Sequence, residues 1–266
     1  MAEELKHGPN YKEHFDTQFY LRSNYSDPRT SGLSNLTYLL DKLHTMFSSG
    51  QIKGAKLLEF GTGPTIHTLI SASKYVTDIT CAEYAECNRN EINKWLQWDK
   101  DAHDWTETFQ YIAGLEGSRD IKSMELRVRG ALKQVIPCDI NLKNPLHPFT
   151  YSNYDTTISS LVLESACHTL DHYGKSLKRI GSLIKDGGKL IMYGLLKESS
   201  YMVNGVTFHS LYLEADDVIR ALKNAGFIRI DMKICETDLE PSISKIDESE
   251  KFLVVCDKRE NACRAK

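Results

Sequence analysis

One stretch, LLEFGTGPTIHTL at residues 57–69, constrains the chain more than any other. An apolar run suited to a buried strand ends near Glu59, two glycines follow one residue apart, and a helical pattern begins at once. A joint of this kind brings backbone N–H groups close to a ligand at the carboxyl end of a strand. A dinucleotide, a phosphate and an adenosyl sulfonium each fit some version of it.

The surrounding pattern shows what kind of sheet the joint belongs to. In LSNLTYLLDKLHTMF the apolar residues Leu36, Leu39, Leu40, Leu43 and Phe47 recur at three and four, the helical period. AKLLEF reads as a strand, a helix follows from about Thr65 to Lys74, and DITCAE reads as the next strand. A long helix is expected from Asn88 through Trp95 and Trp98, and KSMELRVRGALKQVI reads as one more helix. CDI then sits on a short strand, and YDTTISSLVL is a strand rich in β-branched residues. YGKSLKRIGSLIKDGGKLIMYG reads as a helix stopped at Gly187–Gly188 and followed by a strand. DDVIRALKNAGF is a further helix, and IRIDMKIC and KFLVVCDK close the chain as two strands that pair antiparallel. Alternating strands and helices predict an α/β fold: a doubly wound, mostly parallel sheet with helices on both faces, in one domain over residues 1–266 with a polar N-terminal segment of residues 1–30.

Charge and cysteine usage exclude several partners. The formal net charge is -3 and the basic residues are scattered, so no nucleic-acid partner is expected. MAEELKHGPN lacks the apolar centre of a signal peptide, and no run approaches the roughly 18 apolar residues of a membrane helix, so a soluble protein is expected. Seven cysteines, an odd number, several of them in strand-like runs, read as free thiols of a reducing, cytoplasmic compartment. His168 and His172 have metal spacing on a helix, but no third ligand is evident and no metal is expected.

The loop G61-T-G63-P-T-I66 distinguishes among cofactors. A dinucleotide fingerprint wants a small residue where Ile66 stands, and Pro64 removes a backbone N–H that a pyrophosphate would use. No Lys-Ser/Thr pair follows, which excludes a P-loop. Glu83 ends the next strand about 20 residues on, the separation at which an acid meets the two hydroxyls of a ribose. Asp139 ends the third strand-like element, where it can accept from an adenine amino group. Adenosine without phosphate describes S-adenosylmethionine, whose ammonium and carboxylate suit Glu59 and the loop N–H groups. A nicotinamide-dependent oxidoreductase and a non-catalytic binding protein are the rival readings.

Several linked strings carry a family resemblance: HFDTQFYLRSNYSDPR, FGTGPTIHTLISA, NKWLQWDKDAHDW, VIPCDI, SLVLESAC and IGSLIKDGGKLIMYGLLKESSYM. From about Tyr11 to Lys258 the chain resembles the small-molecule N-methyltransferases that act on phenylethanolamine, nicotinamide and indolethylamine. The resemblance implies a seven-stranded class I methyltransferase fold with an antiparallel C-terminal strand and an N-terminal helical lid. It implies that Tyr11, Tyr20 and Tyr25 close over S-adenosylmethionine, and that Gly61, Thr62, Gly63 and Thr65 hold its methionine part. Glu83 matches a ribose acid that is usually Asp, Asn88 a polar contact near it, Asp139 and Ile140 the adenine site, and Ser160 the end of the fourth strand. His67 departs from the pattern, since better-known members carry Tyr there.

Glu164 in LVLESAC and Glu198 in LLKESSYM each follow a strand and can reach one cleft. Two carboxylates favour a cationic guest, yet a protonated amine has no lone pair, so one acid must take its proton. The resemblance matches both to the acids that hold the amine in the phenylethanolamine type. The nicotinamide type has an acid at the first position but not the second, and another where Gly194 stands here. Tyr201 matches an aromatic wall of the substrate pocket and Asp247 a further acid. The expectation is an S-adenosylmethionine-dependent enzyme, a monomer, that methylates a small amine. An N-heterocycle such as nicotinamide, or a thioether, is the alternative acceptor.

Overall fold

The computed structural model describes residues 9–33, 36–235 and 250–260. Its elements, in chain order, are α1 (Pro9–His14), α2 (Thr17–Tyr25), α3 (Leu36–Ser48), β1 (Lys56–Phe60), α4 (His67–Ala72), β2 (Asp78–Glu83), α5 (Glu86–Leu96), α6 (Thr106–Glu116), α7 (Ile121–Ala131) and β3 (Leu132–Pro137). There follow β4 (Tyr154–Ser160), α8 (Leu163–Ala166), α9 (Leu170–Leu183), β5 (Ile184–Leu196), β6 (Ser200–Val203), β7 (Val206–His209), α10 (Ala215–Asn224), β8 (Phe227–Cys235) and β9 (Glu250–Lys258).

Seven strands form one sheet in the order β3-β2-β1-β4-β5-β9-β8. Strands β1 to β5 pair in parallel, and β9 runs antiparallel between β5 and the edge strand β8. This is the expected doubly wound sheet. Strand order reverses between β1 and β4, which opens a crevice at their carboxyl ends. The central strands are apolar on both faces, as a doubly covered parallel sheet requires. Leu57, for example, packs with α3, α4, α6 and α7, while its neighbour Leu58 faces α9 and α10. Leu36, Leu39, Leu40, Leu43 and Phe47 all lie on the buried face of α3. No helix among the described residues is long and apolar enough to cross a membrane.

The structure corrects several boundaries. The helix expected to carry both Trp95 and Trp98 ends at Leu96, and Trp98 takes a left-handed φ of 60°. There the Arg129 guanidinium lies 3.6 Å from the centre of the Trp95 ring and 3.4 Å from that of Trp98, a cation–π arrangement across the turn. The single helix expected over KSMELRVRGALKQVI stops at Ala131, and LKQVIP becomes β3, because pairing with β2 outweighs helix propensity. CDI lies just beyond that strand rather than on it. The β4 strand ends at Ser160, three residues early, with Leu161 left-handed. Helix α9 ends at Leu183, and Gly187–Gly188 fall inside β5 where its register with β4 shifts. A side chain at Gly188 would sit 2.9 Å from the Asp155 carbonyl oxygen, so close backbone approach, not helix termination, requires glycine there. Helices α6 and α8 and the β6–β7 hairpin stand where no element was expected.

Candidate active site

The glycine loop leaves β1 at Phe60 with Gly61 at φ 74° and Gly63 at φ 63°, conformations that glycine adopts without strain. Gly61 N–H donates to the Ala82 carbonyl at 2.7 Å, tying the loop to β2. A Cβ on Gly61 would fall 2.4 Å from the Val162 side chain, whereas one on Gly63 would meet nothing. Thr62 and Thr65 are buried, and their hydroxyls donate to the carbonyls of Glu59 and Thr62. The loop is thus rigid, closed toward Val162 and open at Gly63.

Glu83, buried at the end of β2, accepts from Gly63 N–H at 2.8 Å, Ala85 N–H at 2.8 Å and Asn88 Nδ2 at 3.1 Å. Burial raises its pKa, and these three donors oppose the rise. Asn88, fully buried behind the cavity wall, also donates to the Tyr11 hydroxyl at 3.4 Å and accepts from Thr17 Oγ1 at 2.8 Å. It therefore links Glu83 to α1 and α2. Asp139 lies just past β3 on the rim, its carboxylate accepting from both the backbone and the side chain of Asn141. Ile140 and Ser160 lie on the same wall.

Glu59 is placed differently from its expectation. It is buried, accepts from Thr68 Oγ1 on α4, and lies off the cavity wall. Burial pushes its pKa up to about 8. It braces the loop from behind rather than facing an ammonium. His67, on the wall, packs 4.9 Å from the Tyr25 ring and 6.5 Å from Trp105. Burial lowers its pKa to about 3, so it is a neutral imidazole, and its Nδ1 is buried with no hydrogen-bond partner among the described residues.

A cavity of about 440 Å³ runs from this loop to a second set of charges. Tyr11, Tyr20 and Tyr25 roof it from α1 and α2, with Phe15 between them and the β6–β7 hairpin. Tyr20 and Tyr25 hydroxyls lie 3.4 Å apart, and burial raises both pKa values, so the phenols stay neutral. At the far end Glu164 on α8 is buried behind the lining residues Ser165 and Leu195 rather than on the wall, and its Oε1 accepts from Leu195 N–H at 3.1 Å. Burial, with Glu198 nearby adding to it, raises Glu164 to about 7. Glu198, two residues past β5, lines the cavity with Tyr201, which stacks on Phe208 at 5.4 Å. Asp247 lies outside the described residues.

Some wall residues were not expected from the sequence. Val162 falls within the expected strand and lies two residues past the observed end of β4, Tyr84 directly follows β2, and Tyr84 carries the Lys12 ammonium 3.7 Å from its ring centre. The β6–β7 hairpin, which carries Tyr201 and Phe208, turns at Asn204–Gly205, both with positive φ. That Asn-Gly pair between apolar runs is a readable hairpin signal.

Comparison with known proteins places this geometry. The NNMT/PNMT/TEMT family matches residues 3–259. The chain is 35% identical to indolethylamine N-methyltransferase of Oryctolagus cuniculus over 83% of its own length and 85% of that protein. It is 37% identical to nicotinamide N-methyltransferase of Homo sapiens over 82% and 83%. In fold it is similar to magnesium protoporphyrin IX methyltransferase of Synechocystis PCC 6803, at 12% identity and a TM-score of 0.55 over 94% of each chain. With nearly its whole length matched, and with a glycine loop, a strand-end acid and a roofed cavity in place, the chain belongs to the NNMT/PNMT/TEMT family and is an S-adenosylmethionine-dependent methyltransferase.

Proposed function

We propose that the chain methylates the nitrogen of a small aliphatic amine, with Glu164 and Glu198 as the acids that receive the amine and accept its proton. Features of the cavity wall support a place for the cofactor at the loop end. Gly63 offers open space, and the orphaned His67 Nδ1 offers a hydrogen-bonding partner for a polar ligand group. Glu83 Oε2 accepts from Gly63 alone among the described residues, which leaves a lone pair for a ribose hydroxyl. In this reading Gly61, Thr62, Gly63, Thr65 and His67 surround the methionine part, Asp139 and Ile140 the adenine, and Ser160 the space between. Asn88 positions Glu83, and Tyr11, Tyr20 and Tyr25 exclude water from above.

When bound, S-adenosylmethionine supplies a methyl carbon on positive sulfur; the nitrogen lone pair forms the new bond to it as the carbon–sulfur pair returns to sulfur. The protein's tasks are alignment and the removal of a proton. The observation that carries the amine reading is the Glu164 carboxyl, buried just behind the wall against Leu195 and raised to about 7, with Glu198 on the wall itself. A carboxyl poised there can take a proton from an alkylammonium near neutral pH. A pyridine nitrogen requires no such acceptor. Gly194 adds support, because a Cβ there would lie 2.7 Å from the Phe252 ring and 3.3 Å from Glu164 Oε1. The acid that the nicotinamide type carries at that position has no room here. A cytoplasmic monomer is part of the same proposal; the six cysteines among the described residues are all unpaired, with Cys87 alone of these exposed, which suits a reducing compartment.

Comparing phenylethylamine, nicotinamide and a simple thioether as methyl acceptors tests the reading. Transfer to the amine with kcat/KM well above the other two is expected. Preferential transfer to nicotinamide would contradict it.

A further inference from the structure

Lys251 has no part in the chemistry above, yet it stands on the acceptor wall. It is the second residue of β9, pairs with Leu195 and is 7% exposed, and it lines the cavity together with Glu198 and Tyr201. Phe252, Val254 and Cys256 fill one face of β9 and Leu253 and Val255 the other, so Lys251 occupies a position that strand alternation assigns to a core side chain. Burying an ammonium there carries a desolvation cost that an aliphatic residue would not. Burial pulls its pKa down to about 8, with Glu198 acting in the opposite direction. The acceptor wall therefore carries charge of both signs.

A plain alkylammonium would be attracted by the acids and repelled by Lys251. A guest with an amine and a carboxylate would meet complementary charge at both ends. We propose that Lys251 is a specificity-determining residue that receives the carboxylate of an amphoteric amine acceptor. The proposal rests on the amine reading of Glu164 and Glu198.

The test measures kcat/KM for phenylethylamine and for para-carboxyphenylethylamine, with wild type, Lys251→Met and Lys251→Gln. Binding of S-adenosylhomocysteine by calorimetry reports folding, and Lys251→Gln serves should Lys251→Met fail to bind it. Wild type is expected to favour the carboxylated acceptor by about tenfold or more, the scale of one charge-assisted contact, and the variants to lose that preference. A wild-type ratio near one, or a preference that survives both substitutions, overturns the proposal. An equal loss for both acceptors also overturns it, since it makes Lys251 a support for Glu198. If wild type methylates nicotinamide and neither amine, the amine reading itself has failed, and the role of Lys251 falls with it.

Discussion

The two ends of the cavity are built in different ways. At the loop end, Glu83 is held by three donors, two within six residues of itself and one in the loop that leaves the adjoining strand, and Gly61 is pinned to Ala82. At the acceptor end, Glu198, Tyr201 and Lys251 line the wall from the β5 exit, a separate hairpin and the last strand, with Glu164 on α8 buried behind the wall. The first end is fixed by sheet pairing, and in the proposed reading it takes the cofactor. The second is assembled from pieces far apart in the chain. Substitutions should therefore separate cofactor affinity from acceptor turnover.

The largest separation is expected from Glu164→Gln, which keeps the shape of the side chain but removes the proton acceptor. Amine kcat should fall about a hundred- to ten-thousandfold in steady-state assays, with S-adenosylhomocysteine affinity within about threefold of wild type. Glu83→Ala should do the reverse. By stranding the Gly63, Ala85 and Asn88 donors it should weaken S-adenosylhomocysteine about ten- to a hundredfold in calorimetry, while the ranking of acceptors stays the same.

Gly61 is where the two ends touch, and it sharpens the contrast. Gly61→Ala must displace Val162 as well as hold a left-handed alanine, and should lower stability by about 2–4 kcal/mol in denaturant unfolding. Gly63→Ala meets open space and should cost about 1 kcal/mol from backbone strain alone. Equal costs would mean that Val162 yields freely and that the ends are not coupled there.

Acidity gives the smaller effects. Glu164 is protonated below about 7 and becomes a base above it, so amine turnover should rise as pH increases through that value, and Glu164→Gln should lose that limb. Glu59 acts on stability instead. Its folded pKa of about 8 lies above the ordinary 4.5, so its contribution is fully present below 4.5 and is lost as pH rises through 8. Glu59→Gln should flatten the fall in Tm across that window.

Legibility in the sequence followed the same division. The β1 strand, the loop and Glu83 could be read because a continuous apolar run, two glycines and a strand-end acid are local signals. Misreadings arose where tertiary pairing overrode a local pattern. LKQVIP looked helical until β2 supplied a partner, and Gly187–Gly188 looked like a helix stop although they answer to the Asp155 backbone. Glu59 looked like a ligand because it ends an apolar run, but Thr68 on the following helix claims it. Lys251 is hidden for the opposite reason: a lysine opening a strand reads as a solvated end, and only the placement of β9 between β5 and β8 makes it part of a wall.

The division between the ends is tested most directly by measuring S-adenosylhomocysteine affinity and amine kcat on one preparation of Glu198→Gln. Unchanged affinity with kcat lowered at least about a hundredfold is the expected result. Parallel loss of both would show that Glu198 supports the cavity as a whole, and would contradict an acceptor site that works apart from the cofactor loop.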